Sequence, residues 1–264
     1  MKKADLPRIS PALFALFCRY GERYIARNFH AVRMSRAGRL DRGALQGLPL
    51  VIYLNHPSWW DPMMCLLLAN RLFPGRRHYG PIDGSALTKY RFFEKLGFFG
   101  IEPGTVQGAR RFLEVGSRIV EQPDSVLWIT AQGQFTDSRD RPVELRPGLG
   151  HLVSRMRKGA VLPLAVEYPF WGERYPEALV RFGEPMDVSK ITLQPAEWTR
   201  LLAEWLESAQ NELEAESITR DPARFEKVVS GGSGVGGVYD AWRRFRAWLR
   251  GEPFRAGHGL ETEP

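Results

Sequence analysis

Cysteine is scarce in this chain. Of its 264 residues only Cys18 and Cys65 carry thiols, and both sit in apolar runs, FALFCRY and MMCLLLA. Two thiols so placed make neither a disulfide framework nor a zinc-ligand set; they read as small buried hydrophobes in a reducing, cytoplasmic setting. Long hydrophobic runs are also lacking. No uninterrupted apolar stretch approaches the length of about eighteen residues that a spanning helix needs, and the one behind the basic start MKKADLPRIS meets Arg19, Glu22 and Arg23 too soon to be a signal peptide. A chain of this kind lies on a membrane if it meets one. Internal repeats are missing, and so is a G-x-S-x-G nucleophile elbow: Gly231-Gly232-Ser233-Gly234-Val235 fails at its last position. His30, His78, His151 and His258 show no metal-ligand spacing to one another, so no metal is expected.

Apolar residues make up 44% and charged residues 25% of the chain, a balance that fits one large folded domain with short appendages. The net charge of +7 suits nucleic acid, an anionic membrane surface or a polyanionic substrate such as a thioester carrier. The basic residues are spread through every segment and no nucleic-acid motif appears, which sets nucleic acid aside. A formal G-x-G-x-x-G at Gly232–Gly237 follows no convincing strand and leaves too little chain for a dinucleotide fold.

The middle of the chain alternates β-rich apolar runs with helical patterns, which predicts an α/β fold. Strands are expected at 30–36, 48–54, 78–82, 125–129, 161–168 and 178–182, and helices at 59–73, 87–96, 106–121 and 149–158. A longer helix is expected from Pro195 to about Glu216, its stripe of Trp198, Leu202, Leu206 and Leu213 facing the core. Ahead of the domain, at 1–29, Ser10-Pro11 opens an amphipathic helix with Leu16, Phe17 and Tyr20 beside Arg19, Arg23 and Arg27. The domain proper is read as 30–220. Behind it, 221–264 holds a Gly-rich hinge at 230–237, a basic helix at 238–250 and a tail. Basic amphipathic helices at both ends suit an anionic bilayer surface.

The strand at 48–54 runs straight into Asn55-His56-Pro57-Ser58-Trp59-Trp60-Asp61. A histidine at a strand exit is placed for catalysis, and an aspartate five residues on can turn back, accept from the imidazole and leave the other nitrogen as a general base. On that pair alone, a His and an Asp that merely cap a helix start remain the alternative.

With its neighbours the run resembles the first motif, N-H-x4-D, of the glycerolipid acyltransferase superfamily, which includes lysophosphatidate acyltransferases. Further blocks follow in family order: Gly97-Phe98-Phe99-Gly100-Ile101-Glu102, then Thr130-Ala131-Gln132-Gly133-Gln134-Phe135 as counterpart of F-P-E-G-T-R, then Val161-Leu162-Pro163-Leu164. The resemblance implies a mixed, largely parallel central sheet flanked by helices on both faces. It implies that His56 deprotonates the acceptor while Asp61 orients it, with no covalent intermediate, metal or cofactor. The acyl donor would be acyl-CoA or acyl-carrier protein, and the acceptor a lipid or glycolipid hydroxyl or amine, on the inner face of a membrane. Asn55, Trp59, Gln132, Gly133, Gln134 and Asp137 are the expected substrate contacts. The departures bear on the acceptor: Gln132 replaces the family's Glu, Phe135 its Arg, and Pro103 stands where the second block ends in Arg. Losing these groups argues against a phosphate-monoester acceptor, unless Arg110, Arg111, Arg139, Arg141 or Arg146 restores one. A catalytically degenerate lipid-binding member and a CoA-independent transacylase remain as alternatives.

Overall fold

The structure is a computed structural model, and it describes residues 5–38, 40–232 and 246. The expected basic helix and tail, and the hinge beyond Gly232, lie outside the described residues apart from Arg246. Helix α1 (Pro11–Asn28) leads into β1 (Ala31–Ser35), β2 (Leu50–Leu54), α2 (Asp61–Leu72) and β3 (Arg77–Asp83). Next come α3 (Gly84–Lys89), a 3-10 helix (Arg91–Leu96), β4 (Phe98–Ile101), α4 (Val106–Val120), β5 (Ser125–Thr130), α5 (Gly148–Val153) and β6 (Ala160–Glu167). β7 (Glu177–Phe182), β8 (Met186–Asp187), α6 (Pro195–Ile218) and β9 (Phe225–Ser230) follow, with short 3-10 turns at Val188–Lys190 and Pro222–Arg224. Among the described residues the strands form one sheet, β4-β3-β5-β2-β6-β7-β1-β9, with β8 pairing β6. Pairings are parallel from β4 through β6 and between β7 and β1, and antiparallel at β6–β7, β6–β8 and β1–β9. The fold is therefore the mixed, largely parallel α/β sheet that was expected.

β2 sits at the centre because its sequence, LVIYL, is apolar at every position, as a strand covered on both faces requires. Leu50, Ile52 and Leu54 join the core against α1 and α2. Val51 and Tyr53 join the core against α4, α5 and α6. The period of two thus divides one strand between two cores.

β6 carries Pro163 inside the sheet, where a missing N–H normally disqualifies proline. It is tolerated because the partner of β6 changes there from β7 to β8. The Pro163 carbonyl still accepts from Gly183 N–H at 2.9 Å, and a Cβ on Gly183 would lie 2.7 Å from the proline ring.

Some elements differ from expectation. The helix expected at 87–96 breaks at Tyr90, whose φ of −127° and ψ of 69° leave the helical region. The helix expected at 149–158 ends at Val153, and Gly159, at φ 132°, turns the chain into β6. β9 is an edge strand in the segment read as the approach to a hinge; it runs antiparallel to β1, with Phe225 and Val229 buried.

His78 is buried between the sheet and α1. Its Nδ1 accepts from the Trp128 indole N–H at 3.2 Å, its Nε2–H faces the Phe73 carbonyl at 3.2 Å, and the Phe14 ring stacks on it at 5.6 Å. Burial brings the imidazole down from the usual 6.5 to about 4. The unfolded chain takes up a proton there that the folded chain refuses, so stability is full above about pH 6.5 and falls as pH drops toward 4. Urea unfolding should show a loss of roughly 2–3 kcal/mol between about pH 7 and about pH 4.5 that is absent from His78→Leu; equal pH slopes in the two proteins would contradict this.

Candidate active site

The strand ends set the site. β2, β5 and β6 run parallel with Leu54 level with Thr130 and Leu164, so the segments leaving them emerge side by side. Asn55 is fully buried, and its side chain behaves as one more peptide of the ladder. Nδ2 donates to the Val166 carbonyl at 2.9 Å, and Oδ1 accepts from the Val166 N–H at 2.8 Å. Asn55, expected as a substrate contact, has its amide engaged on β6 and sealed from solvent, and the pairing fixes where the chain leaves the sheet. The loop after β5 holds the next residue: Gln132 Oε1 accepts from His56 N–H at 2.9 Å, and Thr136 N–H donates to the His56 carbonyl at 3.0 Å.

Pro57 and Ser58 then turn the chain into α2, whose first residue is Asp61. The Asp61 carboxylate has no solvent exposure, so every charge-bearing oxygen needs a donor. Oδ2 accepts from His56 Nδ1 at 2.5 Å and from Ser58 N–H at 3.1 Å, and Oδ1 accepts from the Tyr168 hydroxyl at 2.7 Å. A carboxylate only accepts, so Nδ1 is the imidazole donor and Nε2 is left unprotonated in the neutral ring. The imidazole is 18% exposed, and the Phe135 ring lies 4.4 Å from it, centroid to centroid. Burial and the Asp61 charge keep the Tyr168 phenol protonated, well above its usual range. Burial also pushes the Cys18 thiol up to about 11 and the Cys65 thiol higher still; neither supplies a thiolate nucleophile.

His30 makes an equally short contact, Nδ1 to Glu177 Oε1 at 2.5 Å, but the other Glu177 oxygen is held by the buried Arg33 guanidinium at 2.9 Å. The Glu177 charge is matched by a cation. Asp61 is held by the neutral groups of Tyr168 and Ser58, which leaves its charge to act on the imidazole. Of His30, His56 and His78, His56 is the one whose ring faces a carboxylate that no cation matches.

The remaining expected contacts divide. Trp59 stands 63% exposed beside the turn, packed edge-on against Trp60. Gln132 reaches His56, but through the backbone. Gly133 takes a φ of +68°, and a Cβ there would lie 3.0 Å from the Arg146 side chain. Gln134 is exposed, and Asp137 is engaged by Arg139 within the same exposed loop. Arg139 is engaged by Asp137, Arg141 bonds the Ser138 carbonyl and reaches α6 at Asn211 and Glu214, and Arg146 packs against Gly133. Sequence reasoning missed Ser58, Tyr168 and the closeness of Phe135; Tyr168 directly follows β6 and lies 107 residues from Asp61 along the chain, so no local spacing joins the two.

Neither a protein-family model nor a curated protein sequence matches the chain. Among solved structures it is similar to the 1-acyl-sn-glycerophosphate (LPA) acyltransferase of Thermotoga maritima, with 14% identity, coverage of 77% of this chain and 80% of that one, and a TM-score of 0.49. A likeness of that size says nothing of activity, which has to be read from the chain's own residues.

Asn55→Ala removes two buried hydrogen bonds and leaves the Val166 peptide groups unmet. It should lower unfolding free energy by roughly 2–5 kcal/mol, read from the denaturant midpoint; unchanged stability would return Asn55 to the role of a substrate contact.

Proposed function

We propose that this protein is an acyltransferase that moves a fatty-acyl group from acyl-CoA or acyl-carrier protein to a hydroxyl or amine of a lipid or glycolipid. The observation that carries this reading is the 2.5 Å pairing of a partly exposed His56 with a fully buried Asp61 at the exit of the central strand. His56 Nε2 takes the acceptor proton as the acceptor oxygen or nitrogen attacks the thioester carbonyl. Asp61 stabilises the imidazolium that results, held in place by Tyr168 and the Ser58 N–H. As the tetrahedral adduct collapses, the carbon–sulfur bond breaks and the imidazolium returns the proton to the departing thiolate. The high, buried thiols of Cys18 and Cys65 support direct transfer without an acyl-enzyme. The intact His–Asp pair favours catalysis over a degenerate lipid-binding role.

Trp59 and Phe135, each more than half exposed beside His56, support an apolar or lipid-borne substrate. With such a substrate goes the expected location on the inner face of a membrane, met through α1 and the basic segment expected at 238–250. Among the described residues no helix is long and apolar enough to cross a membrane. A neutral or zwitterionic acceptor is favoured, because the Gln132 carbonyl is engaged by the His56 N–H and Phe135 brings a phenyl ring to the imidazole. A phosphorylated acceptor is the second reading, and Arg146 against Gly133 is the observation that favours it.

The test is thiol release from acyl-CoA and acyl-carrier protein in the presence of neutral and phosphorylated lipid acceptors. His56→Ala should lose about 10²–10⁴-fold in turnover. Tyr168→Phe should lose about tenfold in kcat with KM little changed, since the phenol orients Asp61 and does not touch substrate. Thioester consumption that is indifferent to His56, or transfer from a donor lipid without thioester, would refute the reading as stated.

A further inference from the structure

Phe135 keeps a phenyl ring where burial does little to hold it. The side chain is 62% exposed, so the apolar area it removes from water is small. Its place is set by the backbone on either side. On one side the Gln132 carbonyl oxygen accepts from His56 N–H at 2.9 Å, and on the other Thr136 N–H donates to the His56 carbonyl at 3.0 Å. Between them Gly133 turns the chain at a φ of +68°. The backbone N–H and carbonyl of His56 are thus both held by the loop whose single aromatic residue stands against the His56 ring.

The ring pair is close. Its centroids lie 4.4 Å apart with the planes 39° from each other. That is the short limit of the range of about 4.5–7 Å for ring pairs, reached with a face turned to the partner. A phenyl face carries the negative part of the ring quadrupole and attracts a cation held within about 6 Å of its centre. A neutral imidazole gains little from this. An imidazolium gains more, and the reaction proposed above makes His56 one as it takes the acceptor proton. Asp61 meets that charge at Nδ1, on the edge of the ring; Phe135 meets it through the rings themselves. His78 supplies the contrast within the molecule. Phe14 stacks on it at 5.6 Å and 12°, but both His78 nitrogens are engaged and burial brings the imidazole down to about 4. That pair is packing between uncharged rings.

We infer that Phe135 is a positioning residue for the proton transfer, acting through His56: its π face stabilises the imidazolium, beside the charge of Asp61. The inference rests on the reading of His56 as the general base. It gives Phe135 a role beyond that of an apolar wall for substrate, which any aliphatic side chain fills as well.

The test changes the charge distribution of the phenyl ring and keeps its shape. Mono-, di- and trifluorinated phenylalanine, placed at position 135 of the full chain, withdraw electron density from the ring face in steps. The charged and titratable groups around the site stay as they are: Asp61 on Nδ1, the Tyr168 phenol on Asp61, Asp137 and Arg139 bonded to each other, Glu167 near Arg139, and Arg146 against Gly133. In an NMR titration the His56 imidazole signal is identified by its loss in His56→Gln. Its midpoint should move to lower pH in step with the number of fluorines. Phe135→Leu should lower it by about half a pH unit and Phe135→Tyr should restore it, with the melting temperature unchanged. Thiol release from palmitoyl-CoA that depends on His56 should fall in the same order, by about two- to fivefold in kcat for Phe135→Leu, with KM held. A midpoint indifferent to fluorine, or a Phe135→Leu effect confined to KM, would overturn the proposal. A graded midpoint without any His56-dependent thiol release would sink the catalytic reading alone, since the ring pair is read by NMR without turnover.

Discussion

A carboxylate cut off from water has to be met by donors, and Asp61 imposes that demand on three parts of the chain at once. The turn after β2 brings the Ser58 N–H and the His56 ring. The exit of β6, more than a hundred residues on, brings the Tyr168 hydroxyl. Neither arrives by accident, since both strands are locked in register beside each other and joined by the Asn55 clamp one step beyond the last rung of β2. Leaving Asp61 unmet would cost several kcal/mol, so the same contacts that orient the imidazole also hold the strand ends together. The orientation of the imidazole and the packing of the strand ends share one set of hydrogen bonds.

The contrast among the histidines follows from what surrounds each ring. His78 has both nitrogens engaged and an aromatic ring against its face, and burial keeps it neutral far below ordinary pH. His30 faces a carboxylate whose charge a guanidinium already answers. His56 keeps one nitrogen open beneath an exposed phenyl ring. A histidine count is therefore a poor guide to a site; the partner of the partner decides.

Much of this was legible in the sequence, for physical reasons that can be named. A strand apolar at every position has to be central, so β2 and the histidine at its exit were found together. The spacing from His56 to Asp61 is short enough to be read locally. What escaped depends on contacts between distant segments. Tyr168 gives no local sign that its hydroxyl reaches Asp61, and Asn55 looks the same in sequence whether it meets a substrate or a neighbouring strand. β9 was lost because Glu226 and Lys227 give it an edge-strand pattern and a glycine-rich run follows. Phe135 was visible only as a departure from a motif, and its place over the imidazole belongs to the fold of the loop.

Pro163 and Gly183 lie away from the chemistry, yet they gauge it. A slip of one residue along β6 would turn Tyr168 to the other side of the sheet. The proline ring occupies the space of any side chain at 183, and the carbonyl at 163 is held by the 183 amide. The two positions are therefore not independently mutable. A chain that gains a side chain at 183 has to give up the ring at 163, and in a set of related sequences they should change as a pair or stay unchanged together.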